Sequence, residues 1–205
     1  MATTDVDNCF HRLKIGRQLG EYFCLPPLRA SDLGITQVNG EVVEWSDLVW
    51  PCLAALPMGF SWSLFLAQDA TTLQTESSAC LATSRRIEDR NGAVVICAEH
   101  PLAHYVYVDN VGALGTSEEG VAQAILEVEA TLTAMGLVCH ETEGPRTAKE
   151  ALGVEFNREL QRWRGTAKRF WTLSGAIRYF LGRKRATGEQ LEVILGHCTF
   201  YAMLE

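Results

Sequence analysis

Apolar and polar positions alternate most clearly over residues 104–114, predicting a strand on each side of Asp109-Asn110. Those two residues tolerate the positive φ of a tight turn, so a carboxylate is expected at the tip of a hairpin. Shorter strands are predicted over residues 22–25, 35–38 and 42–45, the last two joined by Asn39-Gly40, a strong hairpin signal. At the front, residues 3–12 read as a short strand end and a turn, and 13–15 as an edge or second strand. After the Pro and Gly turn Leu56-Pro57-Met58-Gly59-Phe60, an apolar run predicts a helix from about residue 61 to 83, capped by Ser61 or Ser63. Residues 85–92 read as a polar loop and 93–97 as a short buried strand. Thr116-Ser117-Glu118-Glu119 has the form of a capping box. Val121, Ile125, Val128, Leu132 and Met135 then line one face of an amphipathic helix that Gly136 ends. Residues 137–139 and 152–156 predict further strands, and 190–204 a last helix. The pattern mixes hairpin strands with helices, as in an α+β fold.

The chain has 205 residues, 47% of them hydrophobic and 21% charged, enough for one sizeable core. No apolar run reaches the roughly 18 residues that a spanning helix needs, and the first residues lack a basic and an apolar leader region. An intracellular protein with no membrane partner is expected. Seven scattered cysteines without a Cys-x-x-Cys pair argue against a disulfide framework and a zinc site, and buried reduced thiols are expected. Net charge is −7, but residues 157–186 hold nine Lys or Arg against Glu159 alone, a local +8 that leaves −15 for the rest. An acidic body with a basic appendage suggests a cation-binding centre beside a strip that meets phosphate. Trp163 and Trp171, interleaved with the basic residues, are candidates either for stacking on bases or for core packing.

Asp5 and Asp109 are both predicted at strand ends, and two such carboxylates can bridge a pair of divalent ions for phosphoryl transfer. Taken singly, each feature also has an ordinary structural explanation, as a turn, a core aromatic or a loop. Their order along the chain resembles the reverse transcriptases of retroelements. The resemblance rests on Asp5 with Phe10-His11-Arg12-Leu13, on Leu56-Pro57-Met58-Gly59-Phe60 with Ser63 and Gln68, and on Tyr107-Val108-Asp109-Asn110. Gly136-Leu137 and Leu152-Gly153 complete five motifs in order over residues 5–156.

The resemblance implies an α+β polymerase palm over residues 1–156, an antiparallel sheet with helices packed on one face and lacking its fingers, and a partial basic helical thumb over 157–205. The chain's front is accordingly expected to be cut, with fingers and downstream domains supplied by a parent polyprotein. It implies RNA-directed DNA polymerase activity on an RNA or DNA template-primer with dNTPs. Asp5 and Asp109 would hold two Mg2+ ions, with Mn2+ as a substitute, and Asn110 stands where the family carries a further acid. Phe10, Met58 and Gly59 would meet the nucleotide, Phe10 excluding a ribose 2′-hydroxyl. Tyr107, Leu152 and Gly153 would place the primer end, and Arg183, Lys184 and Arg185 belong to the strip that would track the duplex. Asp7 is a candidate to compensate for Asn110, and Arg146 or Lys149 to donate a proton to pyrophosphate. Two alternatives stand beside this: a non-catalytic retroelement remnant that binds nucleic acid, and a nucleotide-sugar transferase using Asp5-Val6-Asp7 as a metal clip.

Overall fold

The structure is a computed structural model describing residues 1–89, 92–160 and 162–204. In chain order the first elements are β1 (Ala2–Val6), α1 (Cys9–Arg12), α2 (Arg17–Gly20), β2 (Leu28–Arg29), α3 (Ala30–Leu33), β3 (Gln37–Val38), β4 (Glu41–Val42) and β5 (Leu48–Val49). Next come α4 (Ser63–Glu76), β6 (Arg85–Arg86), β7 (Leu102–Tyr107), β8 (Asn110–Gly115), α5 (Glu118–Ala134) and β9 (Cys139–Glu143). The last are β10 (Ala148–Ala151), β11 (Val154–Asn157), β12 (Arg162–Gly165), α6 (Ala167–Leu181) and α7 (Gly188–Ala202). The fold is α+β as predicted. Its main sheet runs β6-β7-β8-β1-β9, antiparallel except for the β6–β7 pair, and α4 and α5 pack against it.

The amphipathic face of α5 builds the core: Val121, Ile125, Val128 and Leu132 are all buried against Val6, Val111 and Ala113 of the sheet. Met135 is exposed, because Gly136 at φ +86° turns the chain away there. Ser117 caps the helix by accepting the Gly120 N–H; with glycine at the third helical position, no acid closes the expected box. Helix α4 buries the opposite kind of face, Ser63, Ala67, Thr71 and Thr75 at every fourth position, while Leu64, Phe65 and Leu73 are exposed. It ends at Glu76, short of the predicted 83, after which the chain turns at residues 77–78 and makes one 3-10 turn at Ala79–Leu81. Ser63 does not cap it; its hydroxyl donates to the Pro57 carbonyl at 2.6 Å, closing the preceding turn.

Other expectations need correction as well. Residues 13–15 and 22–25 form single bridges, Lys14 to Ala55 and Cys24 to Cys52, rather than strands. Described residues 92–97 form no strand, and Val95 lies in solvent. Arg90 and Asn91 of the predicted loop lie outside the described residues. Two of the cysteines, Cys24 and Cys52, are exposed rather than buried. Finally, Leu152-Gly153 is not inside a strand: with φ +52° and +78° it is the two-residue tip joining β10 to β11. The three-stranded sheet β10-β11-β12 carries the chain across residue 156, so the expected subdomain change falls inside β11. Helices α6 and α7 pack on each other, and neither has a fully buried side chain.

Candidate active site at the hairpin tip

The β7–β8 hairpin turns on Val108-Asp109, one residue earlier than predicted, which places Asn110 inside β8 opposite Tyr107. The register follows from Tyr105. Its partner is Gly112, and a Cβ on Gly112 would lie 2.1 Å from the Tyr105 ring, so only glycine lets the ring cross the neighbouring strand. Any other register would set that ring against a side chain. The consequence falls on Val108, a β-branched residue held at φ +56°. Gln68 of α4 supports that turn: its Oε1 accepts the Val108 N–H at 2.8 Å, and its Nε2 donates to the Val106 carbonyl at 3.0 Å.

Strand β1 lies beside β8 with Asp5 opposite Asn110, and the Val6 N–H donates to the Asp109 carbonyl at 2.9 Å. Asp5 on β1 and Asp109 in the adjoining hairpin turn thus lie at the same end of the sheet. Asn110 ties Asp5 to Tyr105: its amide nitrogen donates to Asp5 Oδ2 at 3.2 Å, and its carbonyl oxygen accepts the Tyr105 hydroxyl at 2.9 Å. A carboxylate can only accept, so this orientation of the amide is fixed by Asp5. Tyr105 is buried, and its pKa is pushed up by desolvation and by the charge of Asp5, which keeps the hydroxyl protonated as a donor. The Asp109 carboxyl also sits above its ordinary range; burial is the largest cause, and the charge of Asp5 adds to it. His140, opposite Asp5 on β9, brings Nδ1 to 4.0 Å from Asp5 Oδ1.

Asp7 cannot stand in for the missing acid. Arg12 donates to its Oδ2 at 2.6 Å and Asn8 to its Oδ1 at 2.8 Å, and these bonds hold its pKa below the usual carboxylate range. The Asp5-Val6-Asp7 clip would have to displace the same two partners from Asp7. Lys149 is buried and paired to Glu143 at 3.0 Å, so it is not free to reach the tip. The two oxygen donors, Asp5 and Asp109, suit a hard cation such as Mg2+. Among the described residues no group of three or more His, Cys, Asp and Glu side chains is arranged to hold a metal ion, there or elsewhere.

The remaining predicted residues divide into separate places. Phe10, on α1, packs against the edge of the core, while Met58 is exposed. Gly59 has φ +92° and open space around it, so its conformation, not a close neighbour, calls for glycine there. Tyr107 and Leu152 line one cavity of about 800 Å³ with Phe65, Gln68 and Val106. Gly153 lies under the Arg169 guanidinium, which stacks on Phe200 at 3.7 Å. Arg183, Lys184 and Arg185 sit apart from the tip, on the exposed connection between α6 and α7, with Arg183 over Tyr179. Trp163 and Trp171 are both exposed, which removes core packing as their role. Sequence reasoning assigned no site role to Gln68, Tyr105, Gly112 or His140; Gly112 across from an aromatic was the one readable signal.

No protein-family model matches this chain, and no curated protein does. Solved structures do. The foamy viral protease-reverse transcriptase dRH in complex with double-stranded DNA superposes with a TM-score of 0.61 at 16% identity, over 97% of this chain and 27% of that one. The chain has a reverse-transcriptase-like fold. Two further foamy viral protease-reverse transcriptase structures agree, one with an RNA/DNA hybrid (TM-score 0.58, 17% identity) and one with double-stranded DNA (0.59, 16%). Each likeness covers 97% of this chain, and this reverse-transcriptase-like unit spans 21% and 32% of those chains. Among the described residues no helix is long and apolar enough to cross a membrane.

Proposed function

We propose that this chain is the palm and partial thumb of an RNA-directed DNA polymerase from a retrotransposon-like element, residues 1–156 forming the palm and 157–205 the thumb. The observation that carries this reading is the β1–β8 pairing, which sets Asp5 against Asn110 with Asp109 beside it at the tip of a hairpin braced by Gln68. Asp5 and Asp109 would hold two Mg2+ ions, Mn2+ serving as a substitute. When bound, such ions would lower the pKa of a primer 3′-hydroxyl and neutralise charge on the departing pyrophosphate. The carboxylate pair fits such a cation because Asp109 is desolvated and repelled by Asp5, a cost that added positive charge relieves. Asn110 and Tyr105 keep Asp5 in place, and Gln68 keeps the turn that presents Asp109. Tyr107 and Leu152 face one cavity and would seat the primer end, while the arginines of β12, α6 and the α6–α7 connection would follow the template-primer backbone.

The test is Mg2+-dependent addition of dNTPs to a primed RNA template, comparing this chain, joined to fingers if it needs them, with Asp109→Ala. Extension that Asp109→Ala abolishes supports the proposal; extension that survives the substitution refutes it. One observation favours a non-catalytic remnant that binds nucleic acid: the oxygen of Asn110 is taken by Tyr105, so the tip offers two carboxylates and no third ligand from this position. On that reading extension is absent, while salt-sensitive binding of a template-primer duplex persists and is weakened by Arg183→Gln, Lys184→Gln and Arg185→Gln together.

A further inference from the structure

Between α2 and the Pro57–Gly59 turn the chain makes a long excursion, residues 25–51, that contains only two-residue strands and a four-residue helix. It buries little: Val42, Trp45, Leu48 and Trp50 are all exposed. What closes it is its neck. The Leu25 N–H donates to the Pro51 carbonyl at 2.7 Å and the Leu53 N–H to the Phe23 carbonyl at 3.1 Å. These two bonds frame Cys24 and Cys52 as an antiparallel bridge pair that shares no hydrogen bond of its own. In such a pair the two Cα atoms approach most closely and the side chains lie side by side. That separation falls within the range a disulfide spans. The two sulfurs are in contact at 2.6 Å, and both residues are exposed, 28 positions apart in sequence. No other two cysteines are in sulfur contact among the described residues; Cys9 contacts Thr71, and Cys80 and Cys139 point at backbone carbonyls.

We propose that Cys24 and Cys52 are a reversible thiol-oxidation site: a small disulfide oxidant of the glutathione class converts them to an intramolecular disulfide that locks the neck of the 25–51 excursion. The exchange balances in two steps. One cysteine thiolate attacks a sulfur of the oxidant, forming a mixed disulfide and releasing one oxidant thiol. The second cysteine thiolate then attacks the protein sulfur of that mixed disulfide, forming the Cys24–Cys52 bond and releasing the other thiol. The two cysteines together give up two protons and two electrons, and the oxidant becomes two thiols. An exposed pair of this kind suits reversible exchange rather than a permanent structural bridge. The lock reaches beyond the excursion, because Phe23 packs edge-on against Phe60 at 5.1 Å and residues 54–56 are hydrogen-bonded to 13–15. The site is independent of the function proposed for the hairpin.

The experiment incubates the full chain in glutathione buffers of rising oxidised fraction, quenches with a thiol-alkylating reagent and maps peptides by mass spectrometry. The expected result is a chain lighter by two hydrogens carrying one cross-linked Cys24–Cys52 peptide, reversed by dithiothreitol, with the other five cysteines alkylated. Cys24→Ser and Cys52→Ser, both at exposed positions, should each abolish that peptide and leave a glutathione adduct on the surviving partner. Cross-links scattered among other cysteines, or adducts on Cys24 and Cys52 without a bond between them, overturn the proposal. Limited proteolysis at Arg29 gives a second readout: in the oxidised chain the two fragments must stay joined until reductant is added, and their separation without reductant would also overturn it.

Discussion

Gln68→Ala removes the side chain that braces the hairpin turn from outside the sheet. The Val108 N–H loses its acceptor at 2.8 Å while Val108 stays buried, and the Val106 carbonyl loses a donor at 3.0 Å. An orphaned buried N–H costs about 1–3 kcal/mol, and a lost partner for a carbonyl about 0.5–1.5 kcal/mol. Val108 also holds a φ of +56° that a β-branched residue resists, so the turn has strain to release once its support goes. A local loss of about 2 kcal/mol is expected, which lowers hydrogen-exchange protection of the Val108 amide roughly 30-fold. Native-state exchange followed by nuclear magnetic resonance measures this directly. Gln68→Glu keeps the acceptor and loses only the donor, so its effect on the Val108 amide should be the smaller. If Val108 protection in Gln68→Ala stays within about twofold of the parent while α4 remains protected, the bracing role is wrong.

Three further outcomes are expected. Gly112→Ala forces the Tyr105 ring off the neighbouring strand, since its Cβ would sit 2.1 Å from that ring; a loss of about 1–3 kcal/mol should appear as a Tm lowered by several degrees in a thermal melt. Tyr105→Phe keeps the ring and deletes its bond to Asn110, and should cost about 0.5–1.5 kcal/mol by urea titration. Asp109 carries a folded pKa raised above its ordinary 3.8, chiefly by burial, so the folded chain holds its proton longer than the unfolded one. Stability therefore falls as pH climbs from that ordinary value through the raised one. Asp109→Asn should be more stable than the parent at neutral pH, with the gap closing below about pH 3.8; equal melts at neutral pH would contradict this.

The elements that follow from local periodicity were legible in the sequence: the apolar face of α5, the Asn39-Gly40 turn, and the hairpin that carries Asp109. What failed was set by distant partners. The turn register depends on Tyr105 needing glycine across the sheet, so the Asp-Asn turn preference lost to packing. Helix α4 misleads because its buried face is small and hydroxylated and its large apolar residues are exposed. Residues 93–97 look like a buried strand by composition, yet residues 85–86, placed in the loop, are what pairs with β7. The positions of the two acids could be read as strand ends, but the β1–β8 pairing that joins them spans about a hundred residues, and no local pattern encodes it. Gln68, at the end of the second motif, and His140 reach the tip from other elements, and no local pattern aims either of them there.

Asn110 is where the two functional readings can be separated. Its amide donates to Asp5, so the tip folds with one like charge fewer than an acid there would impose. Asn110→Asp would replace that attraction by repulsion at a contact of 3.2 Å. Two unit charges about 4 Å apart repel by roughly 1 kcal/mol in water and 4 kcal/mol at a surface-like dielectric, so the variant should melt lower than the parent without divalent cations. Added Mg2+ should reverse the order if the tip retains cation-binding geometry. A cation held only by the folded state stabilises it by about 2.7 kcal/mol at a hundredfold excess over its Kd, and three carboxylates bind more tightly than two. Melting curves of both chains with and without Mg2+ decide the matter. A larger Mg2+ shift in Asn110→Asp than in the parent points to a site whose cation affinity this asparagine reduces. Melting curves of both chains that do not move with Mg2+ would mean that the carboxylates are not aimed at a shared cation, and the polymerase reading would lose its chemical centre.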